Sequence, residues 1–345
     1  MAAHDAQAMT NHRHPVDAGR RRWIAFGGLA CGLGWPQAGR ARTAGTHWPA
    51  GPIRILLVYP PGGVSDGVLR LLADHLQTAL AVPVRLAYRP GAGGSLGLEA
   101  LAAARPDGHT LAFSALSPLT LYPQVAKVRY RPLHDIAPVA GVMLTPSLLV
   151  GTAAFAGTSV ADLQAAACGA PGRLRWATTG AGTTGHLVLA RWQHSAGCTV
   201  THVPYKGGGQ QLADALAGHF ELLSTNVAVA QRQYIRSGRL KALAVGAPQR
   251  LASLPEVPTW AELGHPLANL ASVFGLMAPA GCPPAVVRRL NALVNQALDA
   301  PALRDHLRAA DNLPAGGSTE QLAQMIHAEH EQHRALLQRA PMRLE

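Results

Sequence analysis

Ile53-Arg54-Ile55-Leu56-Leu57-Val58-Tyr59-Pro60-Pro61-Gly62-Gly63-Val64-Ser65-Asp66 is the stretch on which the fold turns. The aliphatic and β-branched residues 53–58 predict a strand, and the Pro-Pro-Gly-Gly run after Tyr59 cannot continue it. Val68, Leu72, Leu76 and Leu80 then recur every four residues. That spacing predicts an amphipathic helix, with Ser65 or Asp66 placed as its N-cap. A strand, a glycine turn and a helix in direct succession make half of a βαβ unit.

The same rhythm extends in both directions along the chain. Residues 82–86 predict a second strand, and a glycine-rich turn leads to an alanine-rich helix over 95–105. A third strand follows over 110–114. Further on, a strand over 174–178 leads through a glycine loop to a helix over 187–192. A strand over 199–203 precedes a helix over 211–217, and 240–245 is another strand. Val286, Leu290, Leu293, Val294 and Ala297 line one face of a late helix, and Ser318 with Gln321 is a capping-box signature for the last one. The alternation predicts an α/β fold with two open, mainly parallel sheets, each flanked by helices on both faces. A length of 345 residues suits two domains. Residues 136–161 and 266–287 carry no charge, but prolines and glycines interrupt both, so they read as buried strands joined by turns rather than membrane spans.

Residues 1–45 are of a different kind. Arg20-Arg21, a spacer, then Trp23-Ile24 precede a short apolar run to Trp35, which is the layout of a twin-arginine export signal. Cys31 follows Gly28-Leu29-Ala30, but Gly28 stands where a lipoprotein box has a bulky aliphatic residue, so lipidation is not expected. The net charge of +11 raises nucleic acid as a partner, yet this leader contributes +4 of it and the remainder is spread through the chain. No nucleic-acid role is expected. Export to an oxidising periplasm leaves Cys168, Cys198 and Cys282, an odd number.

In open α/β sheets ligands sit beyond the carboxyl ends of strands, where loops enter helices. Two glycine loops stand there, 59–66 and 179–186. Glycine lets backbone N–H groups approach a ligand and a helix N-terminus adds partial positive charge, so both loops suit a carboxylate or phosphate. Thr179, Thr183 and Thr184 add hydroxyls, and His186 reads as a cap or a cleft donor rather than a base.

Several motifs match only in form. Gly180-Ala181-Gly182-Thr183-Thr184-Gly185 fits a dinucleotide fingerprint, but the acidic residue due about 20 positions on is absent. Gly93-Gly94-Ser95-Leu96-Gly97 fits a nucleophile elbow, yet no strand runs directly into Ser95, which reads instead as the cap of a glycine turn. His327, His330 and His333 share a helix stripe with Glu329 and read as a solvated polar face rather than a metal site. No catalytic constellation, cofactor or metal is expected. A serine hydrolase using Ser95 is the enzymatic alternative.

Six blocks in order carry a resemblance: 53–66, Arg89-Pro90-Gly91-Ala92-Gly93-Gly94, Pro106-Asp107-Gly108-His109-Thr110-Leu111, Gly180-Ala181-Gly182-Thr183, His202-Val203-Pro204-Tyr205-Lys206-Gly207 and Leu254-Pro255-Glu256-Val257-Pro258-Thr259. From residue 48 onward they resemble the Bug family, the TctC-like extracytoplasmic solute-binding receptors of tripartite tricarboxylate transporters. The resemblance implies a two-lobed type II periplasmic-binding-protein fold with the ligand in a cleft between the lobes. On that reading 46–150 is lobe 1, 151–245 is lobe 2, and 246–345 returns to lobe 1 with C-terminal helices.

The implied ligand is a small carboxylate: a di- or tricarboxylate, an acidic amino acid or an aromatic acid. Its candidate contacts are Tyr59, Pro61, Gly62, Gly63, Ser65 and Asp66 from one lobe, extended by Ser114 and Ser117. The other lobe offers Thr179, Gly180, Ala181, Gly182, Thr183, Thr184 and His186, extended by Tyr205, Lys206 and Asn226. Implied partners are the membrane subunits of the transporter or, alternatively, a signalling receptor, with the protein a monomer. Three departures bear on ligand identity. Tyr59 stands where the family has phenylalanine, the segment 227–233 is rearranged, and Ser272-Val273-Phe274 replaces a tryptophan-bearing segment. Cys198 stands where the family has an aliphatic residue; whether it pairs with Cys168 turns on geometry that sequence does not supply.

Overall fold

The computed structural model describes residues 48–339 and Met342. The export-signal reading of 1–45 lies outside the described residues. Strand β1 (Ile53–Leu57) is followed by α1 (Val64–Leu80), β2 (Val84–Tyr88), α2 (Ser95–Ala102) and β3 (Thr110–Ala115). Short helices α3 (Ser117–Thr120) and α4 (Tyr122–Val125) lead to a long strand, β4 (Ile136–Gly151). The second lobe adds α5 (Val160–Gly169), β5 (Arg175–Thr178), α6 (Thr184–Ala196), β6 (Thr201–Pro204), α7 (Gly208–Leu216), β7 (Leu222–Asn226), α8 (Val229–Arg236) and β8 (Lys241–Gly246). The chain returns through β9 (Ala271–Pro279), α9 (Pro284–Asp299), α10 (Pro301–Ala309), β10 (Leu313–Gly316) and α11 (Thr319–Arg339).

The strand order is β2-β1-β3-β9-β4-β7-β5-β6, with β8 and β10 also on β4. The pairs the βαβ rhythm predicts are parallel: β1 with β2 and β3, and β5 with β6 and β7. The strands that carry the chain between lobes run antiparallel. β4 pairs with β9 as far as Pro146↔Ala271, then changes partners at Ser147, which faces Asn226 of β7 and Gly246 of β8. Residues 136–151 are thus one strand rather than several joined by turns. Its register shifts between Pro138 and Ala140 and between Gly141 and Met143, so Pro138 and Gly141 sit at bulges, while Pro146 stays in register opposite Ala271. A bulge needs no ladder N–H at its irregular residue, which is where proline fits a sheet.

Each sheet is covered on both faces. In lobe 1, Ile53, Ile55 and Leu57 pack with Leu69, Leu72 and Leu76 of α1 and with α9 and α10, while Leu56 and Val58 face α2 and Ile326 of α11. In lobe 2, Trp176, Trp192 and Trp260 form one core and Phe220 with Val245 the other. Cys168 at the end of α5 and Cys198 just after α6 form a disulfide, and Cys282 is buried and free.

Three local expectations change. The N-cap of α1 is Gly63, with no side-chain cap, so Ser65 and Asp66 are its second and third residues. Gly94, not Ser95, is the N-cap of α2; Ser95 is 1% exposed and its Oγ accepts from the Tyr130 hydroxyl at 3.2 Å. The histidine stripe of α11 is only partly solvated. His333 is buried, and Glu329 accepts from Thr120 Oγ1 at 2.8 Å, because α11 lies across α3. The Ser318–Gln321 capping box forms as read, with Ser318 N–H on Gln321 Oε1 at 2.7 Å and Gln321 N–H on Ser318 Oγ at 3.2 Å.

Candidate functional site

β1 and β5, with four strands between them in the sheet order, both end at a cleft of about 260 Å³ between the lobes. The loop after β1 enters α1 there, and the loop after β5 enters α6. Gly63, Val64 and Ser65 line one wall; Thr183, Thr184 and Gly185 line the other. These are the N-cap and first two helical residues on each side. No helical carbonyl lies four residues before these N–H groups, and among the described residues none has a hydrogen-bond partner. Two more helices start at the cleft: α7, through Gly207, Gly208 and Gly209, and α8, through Ala228, Val229 and Ala230. Each N-terminus carries roughly half a positive charge. Hydroxyls complete the polar lining. The described lining residues include no lysine, arginine, aspartate or glutamate.

The second loop is held from beneath by its own side chains. Thr183 Oγ1 donates to the Gly180 carbonyl at 2.7 Å, and Thr178 Oγ1 accepts the Gly180 N–H at 3.2 Å. His186 Nδ1 accepts the Gly182 N–H at 3.1 Å, and its ring stacks on His202 with centroids 4.0 Å apart. Burial, then the neighbouring His202, lowers His186 from its ordinary value to about 3, so it is a neutral acceptor. The first loop repeats the arrangement with a carboxylate. Asp66 Oδ2 accepts the Gly62 N–H at 3.0 Å, and Oδ1 accepts from the Tyr88 hydroxyl at 2.8 Å. Burial alone would raise the Asp66 carboxyl, but Gly62, Tyr88 and Arg70 outweigh it and hold the group below its usual range.

Of the sequence-derived candidates, Tyr59, Gly62, Gly63, Ser65, Ser117, Thr179, Thr183, Thr184 and Asn226 meet on the cleft. The others do not reach its lining, each for a local reason. Asp66 and His186 turn back to the loop glycines. The Gly180 and Gly182 N–H groups are consumed within their loop. Ser114 Oγ donates to Ala115 O at 2.7 Å and faces the buried Tyr59 hydroxyl. The Tyr205 hydroxyl donates to Asp214 of α7 at 2.7 Å. Pro61 and Lys206 are exposed outside the lining, and the carbonyl of Ala181 meets lobe 1 instead. A Cβ on Gly93 would stand 2.6 Å from that oxygen, which accounts for the glycine there.

Sequence reading missed Ser147, Ser224 and His306, and named Gln231, Ser272 and Phe274 only within segments bearing on ligand identity, not as contacts; all six are on the lining. The uncharged run through β4 and the capless start of α8 gave no chemical signal. Only Gly207-Gly208-Gly209, a glycine run after a strand, could have been found by the rule that located the first two loops. Tyr59 lines the cleft with its ring edge-on to Phe274 at 5.9 Å, while its hydroxyl is buried against Ser114 and Ser117. Burial pushes that phenol above its ordinary value, so it stays neutral.

Residues 68–342 match the family model described as the tripartite tricarboxylate transporter family receptor. The chain belongs to this receptor family. It is 35% identical over 279 residues to protein BugT of Bordetella pertussis, covering 79% of this chain and 84% of that one. Among solved structures, MatC from Rhodopseudomonas palustris with bound malate is 28% identical with a TM-score of 0.80, covering 84% of this chain and all of that one. A second protein of that organism, with adipate, is 29% identical with a TM-score of 0.80, covering 85% and 98%. The receptor fold is therefore the two-lobed, mixed α/β fold described above, built to hold a solute between lobes.

Proposed function

We propose that this chain is an exported periplasmic receptor that captures a small carboxylate and presents it, as a monomer, to the membrane subunits of a tripartite tricarboxylate transporter. The ligand is a di- or tricarboxylate, an acidic amino acid or an aromatic acid. One observation carries the reading: helix N-termini from both lobes meet at a cleft whose described lining has no lysine, arginine, aspartate or glutamate. Unpartnered N–H groups and hydroxyls solvate an anion without a competing counter-ion. Neither loop alone supplies enough donors to replace the water around a carboxylate, so capture requires the lobes to close on it. The malate and adipate of the two similar receptors belong to this class of ligand.

A thermal-shift screen of carboxylates tests it. A ligand at 100 times its Kd adds about 2.7 kcal/mol of stability, a shift of several degrees. The reading fails if no small acid, malate and adipate included, moves the melting curve. Fractionation of producing cells checks export, with the processed chain expected in the periplasmic fraction.

A further inference from the structure

Asp66 and His186 occupy the same place in the two lobes. Each is the third residue of its helix, α1 or α6. Each accepts the N–H of a glycine four residues earlier, Gly62 at 3.0 Å and Gly182 at 3.1 Å. Both glycines have left-handed φ, +83° and +66°, and both acceptors are buried, 6% and 4% exposed. Neither acceptor lines the cleft.

We propose that Asp66 and His186 are a matched pair of positioning residues for carboxylate capture, each drawing its glycine's N–H inward so that the next three N–H groups face the ligand. The inference rests on the carboxylate reading. A left-handed glycine with a free N–H has little to stop its peptide from turning over. The accepted bonds fix the 61–62 and 181–182 peptides; with those released, the glycine can rotate and the next peptide, 62–63 or 182–183, can present its carbonyl oxygen to the anion and replace attraction with repulsion. The acceptors are themselves fixed from behind, Asp66 by Tyr88 and Arg70, and His186 by the stack on His202, which bonds Thr178 Oγ1 at 2.8 Å. One acceptor is an anion and the other a neutral ring, so what the lobes share is the accepted hydrogen bond and not the charge.

Titration calorimetry of the full chain with malate and adipate tests the pair. Asp66→Asn and His186→Asn keep an acceptor oxygen, and their Kd stays within about threefold of the parent. Asp66→Leu and His186→Leu remove it; each weakens binding roughly tenfold, and the double variant roughly a hundredfold. Amide hydrogen exchange of the unsubstituted chain supplies an arm that needs no variant. Without ligand, Gly62 and Gly182 exchange slowly while 63–65 and 183–185 exchange fast, and ligand slows the latter. Leucine variants that bind like the parent, or asparagine variants as weak as the leucine ones, overturn the proposal. So do Gly62 and Gly182 amides that exchange as fast as their neighbours. A parent chain that binds no acid sinks the capture reading instead, and the exchange pattern without ligand still decides whether the two glycines are held.

Discussion

At the scale of single residues, the glycine loops were legible because a positive φ is a local demand that glycine alone meets cheaply. The role of each glycine was not legible. Gly62 and Gly182 read as donors to a ligand, but their N–H groups go to Asp66 and His186. The difference comes from a helix boundary: moving the N-cap of α1 from Ser65 or Asp66 back to Gly63 turns Asp66 from a cap into a third-position acceptor. The buried histidines also set a pH dependence. His186 is lowered to about 3 by burial and His202, and His202 to about 4 by burial. The unfolded chain then binds more protons between those values and the ordinary histidine range near 6.5, so stability rises with pH across that window and is lost toward acid. His333, lowered to about 4 chiefly by burial, adds to this trend. Glu329, raised to about 7 by burial, opposes it from its ordinary value upward. Melting temperature should fall from pH 6.5 to pH 4, and His186→Asn should flatten the slope by about 1.4 kcal/mol per pH unit. An unchanged slope in that variant would assign the acid sensitivity elsewhere, His333 first.

At the scale of elements, βαβ units were predicted well because their signals are periodic and their turns are glycine-marked. β4 was not, because Pro138, Gly141 and Pro146 look the same in a turn and in a bulged strand; only the partners β9, β7 and β8 distinguish the two. The histidine stripe of α11 was misplaced for a similar reason. Its polar pattern says nothing of Thr120 and Arg191, which wait on α3 and α6. The disulfide between α5 and the end of α6 ties together two helices 30 residues apart in sequence, in the lobe that carries the Trp176 core. Closing a loop of that length restricts the unfolded chain by about 3.6 kcal/mol. The Cys168→Ser, Cys198→Ser double variant should lose about that much in denaturant unfolding. Its Kd for malate or adipate should not change, because neither cysteine lines the cleft. A variant that keeps full stability would show that the bond adds nothing to the folded balance.

At the scale of the whole molecule, the cleft joins residues from Tyr59 to Ala310, so most of its lining follows from chain reversal between lobes rather than from any local pattern. The same reversal explains glycines that no turn requires. Gly207 has φ 163°, extended backbone open to any residue, yet a Cβ there would lie 2.4 Å from Pro60 Cδ across the cleft. Gly93 and Gly182 meet the opposite lobe in the same way, against Ala181 O and Tyr122, but both also need positive φ, so substituting them would strain the loops as well. Gly207 separates the two effects. Gly207→Ala should leave the lobes folded and the ligand-free melting temperature within a few degrees of the parent, while the added methyl keeps the lobes apart. Binding should weaken tenfold or more, and the ligand-induced compaction measured by small-angle scattering should shrink or vanish. Normal affinity with full compaction would mean that the Pro60 ring yields to the methyl and that approach of Pro60 to Gly207 does not limit closure. Weak binding with full compaction would place the loss in the α7 N–H groups instead, and so in the donors rather than the hinge.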